Sequence, residues 1–338
     1  MKKSLILAVV AALLVTCIAV SNSFAAGSQK FKPRELRMGV TSSDTSTWTV
    51  SAKKFAELVE QRTGGAVKVS VFPNSQLASG NQIKELEMLQ NGAIDFTVTS
   101  TIFYTNLEPK FTVVSMPFLF SNYAQVDKFL KGPLAQDILA LAKPKGITGL
   151  ALGENGFRQV TNSKHEIRTP ADIKGLKIRI PGIKMYISAW KAMGANPLSM
   201  SFGEVFGALQ QKVVDGQENP LDIIATSKLY EVQKYMTTWN YSYDALIYGV
   251  NTATFNSWEP ELRAIVVKSM KEAAAMQIKL NRGNDAANLK IIKDHGVAVY
   301  APTKADLAKF KAAVAPVYNE YRPVVGADLL KRFQNLSK

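Results

Sequence analysis

The sequence predicts an α/β fold in two lobes, built on mixed, mostly parallel sheets and tied together by one long helix. Three observations carry that expectation. A strand, a helix and a strand follow one another near the start of the chain. The same grammar returns after residue 169, and a long amphipathic pattern begins at Ser257. A chain of 338 residues also exceeds what one hydrophobic core usually serves.

The first 25 residues stand apart from this fold. Lys2 and Lys3 precede an apolar run from Leu5 to Val20, and Ser23-Phe24-Ala25 supplies small residues at a cleavage site. The run is shorter than the roughly 20 residues a membrane span needs. It reads as a cleavable signal peptide over 1–25, with the product exported out of the cytoplasm. Cys17, the one cysteine, lies in that leader, so a cleaved chain has neither disulfides nor thiolate metal sites.

Glu35 to Val40 reads as the first strand. Ser46 to Arg62 places Val50, Phe55, Leu58 and Val59 at helical spacing and stops at Gly64-Gly65. Val67 to Phe72 alternates with period two, as a half-buried strand does. Asn81 to Asn91 is a second helix and Ile94 to Val98 a third strand. In the second half, Thr169-Pro170-Ala171-Asp172 and Ser201-Phe202-Gly203-Glu204 have the form of capping boxes. Between them Leu176 to Ile180 reads as a strand closed by Pro181, and the helix opened at Ser201 runs to about Lys212. Val213 to Asp215 resumes an extended course, and Asp215 to Pro220 reads as a glycine-containing turn. The stretches Leu89–Asp95 and Leu209–Asp215 share one layout, a weak echo between the halves. Ser257 to Leu280 would form a helix of roughly 35 Å or more, long enough to lie across two lobes. Val297 to Tyr300 is a late strand, and Thr303 to Ser337 is helical.

Enzyme signatures are missing. There is no G-x-S-x-G elbow, no Walker A loop and no G-x-G-x-x-G fingerprint. His165 and His295 are the only histidines, far apart in sequence, and argue against a zinc site. Glu57 and Glu60 read as a solvated helix face. No cofactor and no metal are expected. The formal charge of +14 is spread among acidic residues without a long basic run, which disfavours nucleic acid and suits mild steering of anions.

Arginine is the residue type that stands out. Arg179 lies at the C-terminal end of a strand, where ligands of open α/β sheets bind. A guanidinium there can grip a carboxylate through two charge-assisted hydrogen bonds. Spacing alone equally allows Arg179 and Lys177 to be the polar face of a half-buried strand. Arg158 is a second candidate cation. Asn219 has an amide able to donate to one ligand oxygen and accept from another.

Five blocks then carry a resemblance: residues 157–163 (FRQVTNS), 169–181 (TPADIKGLKIRIP), 194–197 (GANP), 201–210 (SFGEVFGALQ) and 214–220 (VDGQENP). Phe72 to Leu77 and Pro117-Phe118 extend it into the first half. Together they closely resemble the DctP-type substrate-binding proteins of TRAP (tripartite ATP-independent periplasmic) transporters. The resemblance implies a type II-like periplasmic binding protein with a ligand cleft between its lobes. It assigns 26–152 plus about 245–285 to lobe I, and 153–244 plus about 286–338 to lobe II. It implies that Arg179 pairs with the ligand carboxylate, that Arg158 is auxiliary, that Asn219 orients the acid and that Phe202 lines the pocket. Thr41, Gly80 and Ser100 stand where sialate-binding members use polar or acidic residues, which speaks against sialate. Trp48, Phe103, Tyr104 and Tyr241 could supply apolar walls or simply core. The implied partners are a small organic acid (a C4-dicarboxylate, a sugar acid or a 2-oxo acid) and the small and large TRAP membrane subunits, with a monomer as the default. A ligand-sensing partner of a membrane receptor would share this pocket; a secreted hydrolase or lyase would need a nucleophile and base that the sequence does not assemble.

Overall fold

The computed structural model describes residues 30–337; the predicted signal peptide, including Cys17, lies outside them. The first lobe opens with β1 (Arg34–Val40), α1 (Thr47–Arg62) and β2 (Val67–Phe72), followed by α2 (Gln82–Gln90), β3 (Phe96–Ser100) and the single turn α3 (Thr101–Tyr104). Ser46 caps α1 by accepting from the Trp48 amide, and Asn81 caps α2 from the Lys84 amide. The helices α4 (Tyr123–Leu130) and α5 (Pro133–Ala140) precede β4 (Ile147–Asn162). Next come β5 (Lys177–Ile180), α6 (Lys184–Ala192), β6 (Asn196–Ser199), α7 (Val205–Gln210), β7 (Gly216–Asn219) and α8 (Leu221–Thr226). The chain ends with β8 (Tyr235–Asn251), α9 (Thr252–Asn256), α10 (Pro260–Asp294), β9 (Ala298–Tyr300), α11 (Lys304–Val325) and α12 (Ala327–Leu336).

The strands form one sheet in the order β2-β1-β3-β8-β4-β7-β5-β6, with β9 added to β8. Pairs made by short strands alone, β1–β2, β1–β3, β5–β6 and β5–β7, are parallel, as is β8–β9. The antiparallel pairs all involve β4 or β8. These two strands, 16 and 17 residues long, pair from Ile147↔Asn251 at one end to Asn162↔Tyr235 at the other. At the first end β8 joins β3; at the second β4 joins β7. The pair is thus a bridge between two parallel half-sheets. Its register slips near Gly149, Glu154 and Arg158, where bulges bend and twist a ladder.

Neither long strand is visible in the sequence pattern. β4 carries Gly149, Gly153 and Gly156, which weaken a strand signal, and most of β8 is buried on both faces, which erases alternation. A second expectation fails at 213–220. The extended course does not start at Val213, and Gly216 to Asn219 is a buried strand rather than a turn. Gly216 permits it by close approach: a Cβ there would lie 2.2 Å from the Thr161 carbonyl oxygen on β4.

The long helix runs further than its sequence pattern guaranteed. α10 has 35 residues, about 52 Å at 1.5 Å per residue. Leu262, Val266, Met270 and Ala273 pack in one core with Phe55, Val59 and Phe96, whereas Ile292 joins Val205, Leu209 and Ile224 in another. Between these ends it is pinned to the middle of β4. Gln277 accepts from the Glu154 amide at 2.8 Å and donates to its carbonyl at 2.7 Å, and Arg282 bonds the Glu154 carboxylate. Both expected capping boxes are formed, at Thr169/Asp172 and Ser201/Glu204.

Candidate functional site

The C-terminal ends of β1, β3, β5 and β7 converge, and the residues at and just beyond them line a cavity. Ligands of open α/β sheets collect at such ends. From the first lobe come Thr41, Ser42 and Trp48 after β1, and Ser100, Ile102 and Phe103 after β3. From the other side come Arg179 and Pro181, Phe202, Asn219 and Ile223. Asn155, Arg158 and Asp244 are supplied by the crossing strands β4 and β8.

Arg179 is held in a strand whose neighbours Ile178 and Ile180 are fully buried, so its backbone cannot drift. The side chain is only 2% exposed. Its Nε and Nη2 both donate to the Met200 carbonyl, at 3.2 and 2.8 Å. No carboxylate among the described residues lies within salt-bridge distance of it. Burial pushes the guanidinium down to about 9, the more distant Glu218 opposing and Arg158 adding to the fall. Phe202 sits 5.8 Å from it, in cation–π range.

Arg158 is the opposite case. It is equally buried, yet its Nε and Nη2 bond the Glu218 carboxylate at 2.5 and 2.8 Å and its Nη1 bonds Asp244 at 2.8 Å. Burial alone would lower its pKa, but these acids hold it well above the arginine range. Asp244 is further held by Ser100 at 2.5 Å and Asn155 at 2.7 Å, and Glu218 by the Tyr241 hydroxyl at 2.8 Å. Burial raises both acids while Arg158 opposes the rise. The cluster is a buried, internally compensated network.

Of the residues singled out in sequence, Arg179, Arg158, Asn219, Phe202, Thr41, Ser100, Trp48 and Phe103 line the cavity. Two site candidates do not. Gly80 faces the backbone of Gly203 at a neighbouring seam, where a Cβ would meet the Gly203 Cα at 3.5 Å. Tyr241 is fully buried behind Glu218 and takes a hydrogen bond from Trp190, so it belongs to the core. Tyr104 is core as well. Asn219 lines the cavity from a strand, and protein partners already use its amide. Its Oδ1 accepts from Arg158 at 3.1 Å and its Nδ2 donates to Gln217 at 2.6 Å.

Sequence reasoning missed Ser42, Asn155, Ile102, Ile223, Glu218 and Asp244. The available signal was an acid inside an otherwise apolar strand, Tyr243-Asp244-Ala245-Leu246, since a charge in a buried strand needs a partner. Two contacts tie the sides together above the cavity. The Ser46 hydroxyl donates to Asp222 at 2.6 Å, and the Phe202 amide donates to Gln82 at 3.1 Å. Among the described residues no cluster of histidine and acidic side chains is arranged to hold a metal ion, and no helix is long and apolar enough to cross a membrane.

Residues 38–323 match the family described as bacterial extracellular solute-binding protein, family 7 (DctP). The chain is 36% identical over 304 residues to the 2,3-diketo-L-gulonate-binding periplasmic protein of Escherichia coli, covering 88% of this chain and 90% of that one. Among solved structures, a TRAP periplasmic solute-binding protein from Ralstonia eutropha with bound (S)-2-acetolactate superposes with a TM-score of 0.87 at 37% identity. It covers 90% of this chain and 98% of its own. The sugar acid binding protein of Advenella mimigardefordensis, in complex with galactonate, superposes with a TM-score of 0.88 at 34% identity, covering 91% and 99%. The chain therefore belongs to the DctP family of extracellular solute-binding proteins, whose members bind solutes for transport and are not enzymes.

Proposed function

We propose that this protein captures a small organic acid on Arg179, in the cleft between two lobes, and delivers it to the small and large membrane subunits of a TRAP transporter. In this reading it works as a monomer in the periplasm after loss of residues 1–25. One observation carries it: a buried arginine that the protein itself leaves without an acid, at the strand ends where ligands collect. An uncompensated buried charge is costly, and a ligand carboxylate offsets that cost while gaining two parallel charge-assisted bonds. Arg158 acts differently. Its charge is spent on Glu218 and Asp244, so it stiffens the cavity floor and places Asn219 rather than neutralising the ligand.

The lobes in this proposal are 26–152 plus about 245–285, and 153–244 plus about 286–338. They hinge where β4 and β8 lose register, with α10 as the brace, and closure brings Ser46 to Asp222 and Gln82 to Phe202. The closed form is what the membrane subunits recognise. The named ligands of the three relatives have a carboxylate in common, which supports the anchor. Native mass spectrometry of protein isolated from the periplasm tests it. An added mass of a small acid, absent in Arg179→Ala, is expected. An equal bound mass in both proteins would remove Arg179 from the mechanism.

A further inference from the structure

The geometry points to a monocarboxylate bearing a hydroxyl or keto oxygen and a small apolar branch as the ligand, with C4-dicarboxylates excluded. This deepens the proposal that Arg179 receives a carboxylate, and rests on it.

The first argument is a count of charge. Arg158 and Arg179 are the cations lining the cavity, and Arg158 is already held by two carboxylates. One guanidinium is left for the ligand. A second carboxylate would find no free cation, only Asp244 of like charge, the apolar faces of Ile102, Phe103 and Ile223, and the neutral donors Ser42 and Trp48. A buried carboxylate held by neutral donors alone lacks the opposite charge that offsets its lost hydration.

The second argument is a set of polar atoms that want partners. The Ser42 hydroxyl, the Trp48 Nε1 and the Asn155 Oδ1 belong to residues that line the cavity and are 1%, 2% and 3% exposed, yet none has a hydrogen-bond partner among the described residues. Trp48 can only donate, Asn155 Oδ1 can only accept, and Ser42 can do both. A hydroxyl satisfies all three types, a keto oxygen satisfies Trp48 and Ser42, and a bare alkyl chain satisfies none. Buried polar groups left unpaired are costly, so the site is built against a plain fatty acid.

Calorimetry with 2-hydroxyisovalerate, 2-oxoisovalerate, isovalerate, succinate and malate, on the wild type and on Trp48→Phe, Ser42→Ala and Arg179→Ala, tests this. The hydroxy and oxo acids should bind tightest. Isovalerate should bind roughly 5- to 150-fold more weakly, the equivalent of one unsatisfied buried group. Succinate and malate should be weaker by roughly 100-fold or more, as expected for a buried unpaired charge. Ser42→Ala deletes an atom unpartnered among the described residues, and Trp48→Phe removes the N–H with part of a ring packed in the core, so thermal melts check the fold while the preference over isovalerate should narrow in both. Tightest binding of succinate or malate, lost in Arg179→Ala, overturns this inference and leaves carboxylate capture standing. Unchanged selectivity in both Trp48→Phe and Ser42→Ala overturns the role of the unpartnered atoms. Failure of all five acids to bind the wild type overturns this inference, and a small acid still carried by the wild type but not by Arg179→Ala in native mass spectrometry would leave carboxylate capture standing.

Discussion

Replacing Arg179 by alanine should do two things that rarely go together: abolish ligand binding and leave the empty protein as stable as before. The magnitude follows from its surroundings. Burial pushes the guanidinium down to about 9, so holding its charge costs the empty fold several kcal/mol. Two bonds to the Met200 carbonyl return part of that. Deleting the side chain removes the penalty and some packing together, so the melting temperature of the empty protein should stay level or rise. Binding should fall by about 2–5 kcal/mol, or roughly 30- to several-thousand-fold in Kd, as when one partner of a buried charge pair is removed. Arg179→Lys should also bind poorly, because an ammonium cannot make the two-point grip. The response to pH is equally defined. The protonated guanidinium binds the acid and arginine keeps its proton around neutral pH, so affinity should hold steady from pH 6 to 8. Thermal melts with and without ligand, plus calorimetry across this range, read all of it. A drop of several degrees in the empty variant with the ligand-induced shift intact would refute the reasoning, since Arg179 would then be a structural ion.

Three further outcomes follow from the same structure. Arg158→Ala strands two buried carboxylates, Glu218 and Asp244, and should cost about 3–5 kcal/mol in urea unfolding, the reverse of the Arg179 result. Glu85 is fully buried, with Oε1 unpartnered and Oε2 taking bonds from Ser75 and Thr41; burial raises its carboxyl from 4.5 to about 7. The folded state therefore holds a proton that the unfolded chain releases, and stability should fall as pH rises from about 4.5 through 7. Glu85→Gln should remove that fall and gain up to about 3 kcal/mol at pH 8; a wild-type difference that does not change with pH would refute this. Gly216→Ala would press a Cβ to 2.2 Å from the Thr161 carbonyl and should break the β4–β7 ladder, seen as lost amide protection at Thr161 and Gln217 and a lowered melting temperature.

Local periodicity was enough to read the strand–helix–strand units, the capping boxes at Thr169 and Ser201, the long helix and the placement of Arg179 at a strand end. These features depend on residues within a turn or two of each other, where sequence spacing is geometry. The two bridging strands were invisible for a related reason. Their stability comes from pairing with each other across some 90 residues of chain, so glycines and unbroken apolar runs that spoil a local signal are tolerated. The same holds at the site. Two arginines of identical type are equally buried, and although the motif resemblance pointed to Arg179, spacing near either does not say which one is left without an acid. Glu218 and Asp244 reach Arg158 from 60 and 86 residues away, and no acid among the described residues pairs with Arg179. Electrostatic compensation is set by distance in space rather than along the chain, so the fold decides which arginine is left without an acid, and the sequence supplied both candidates.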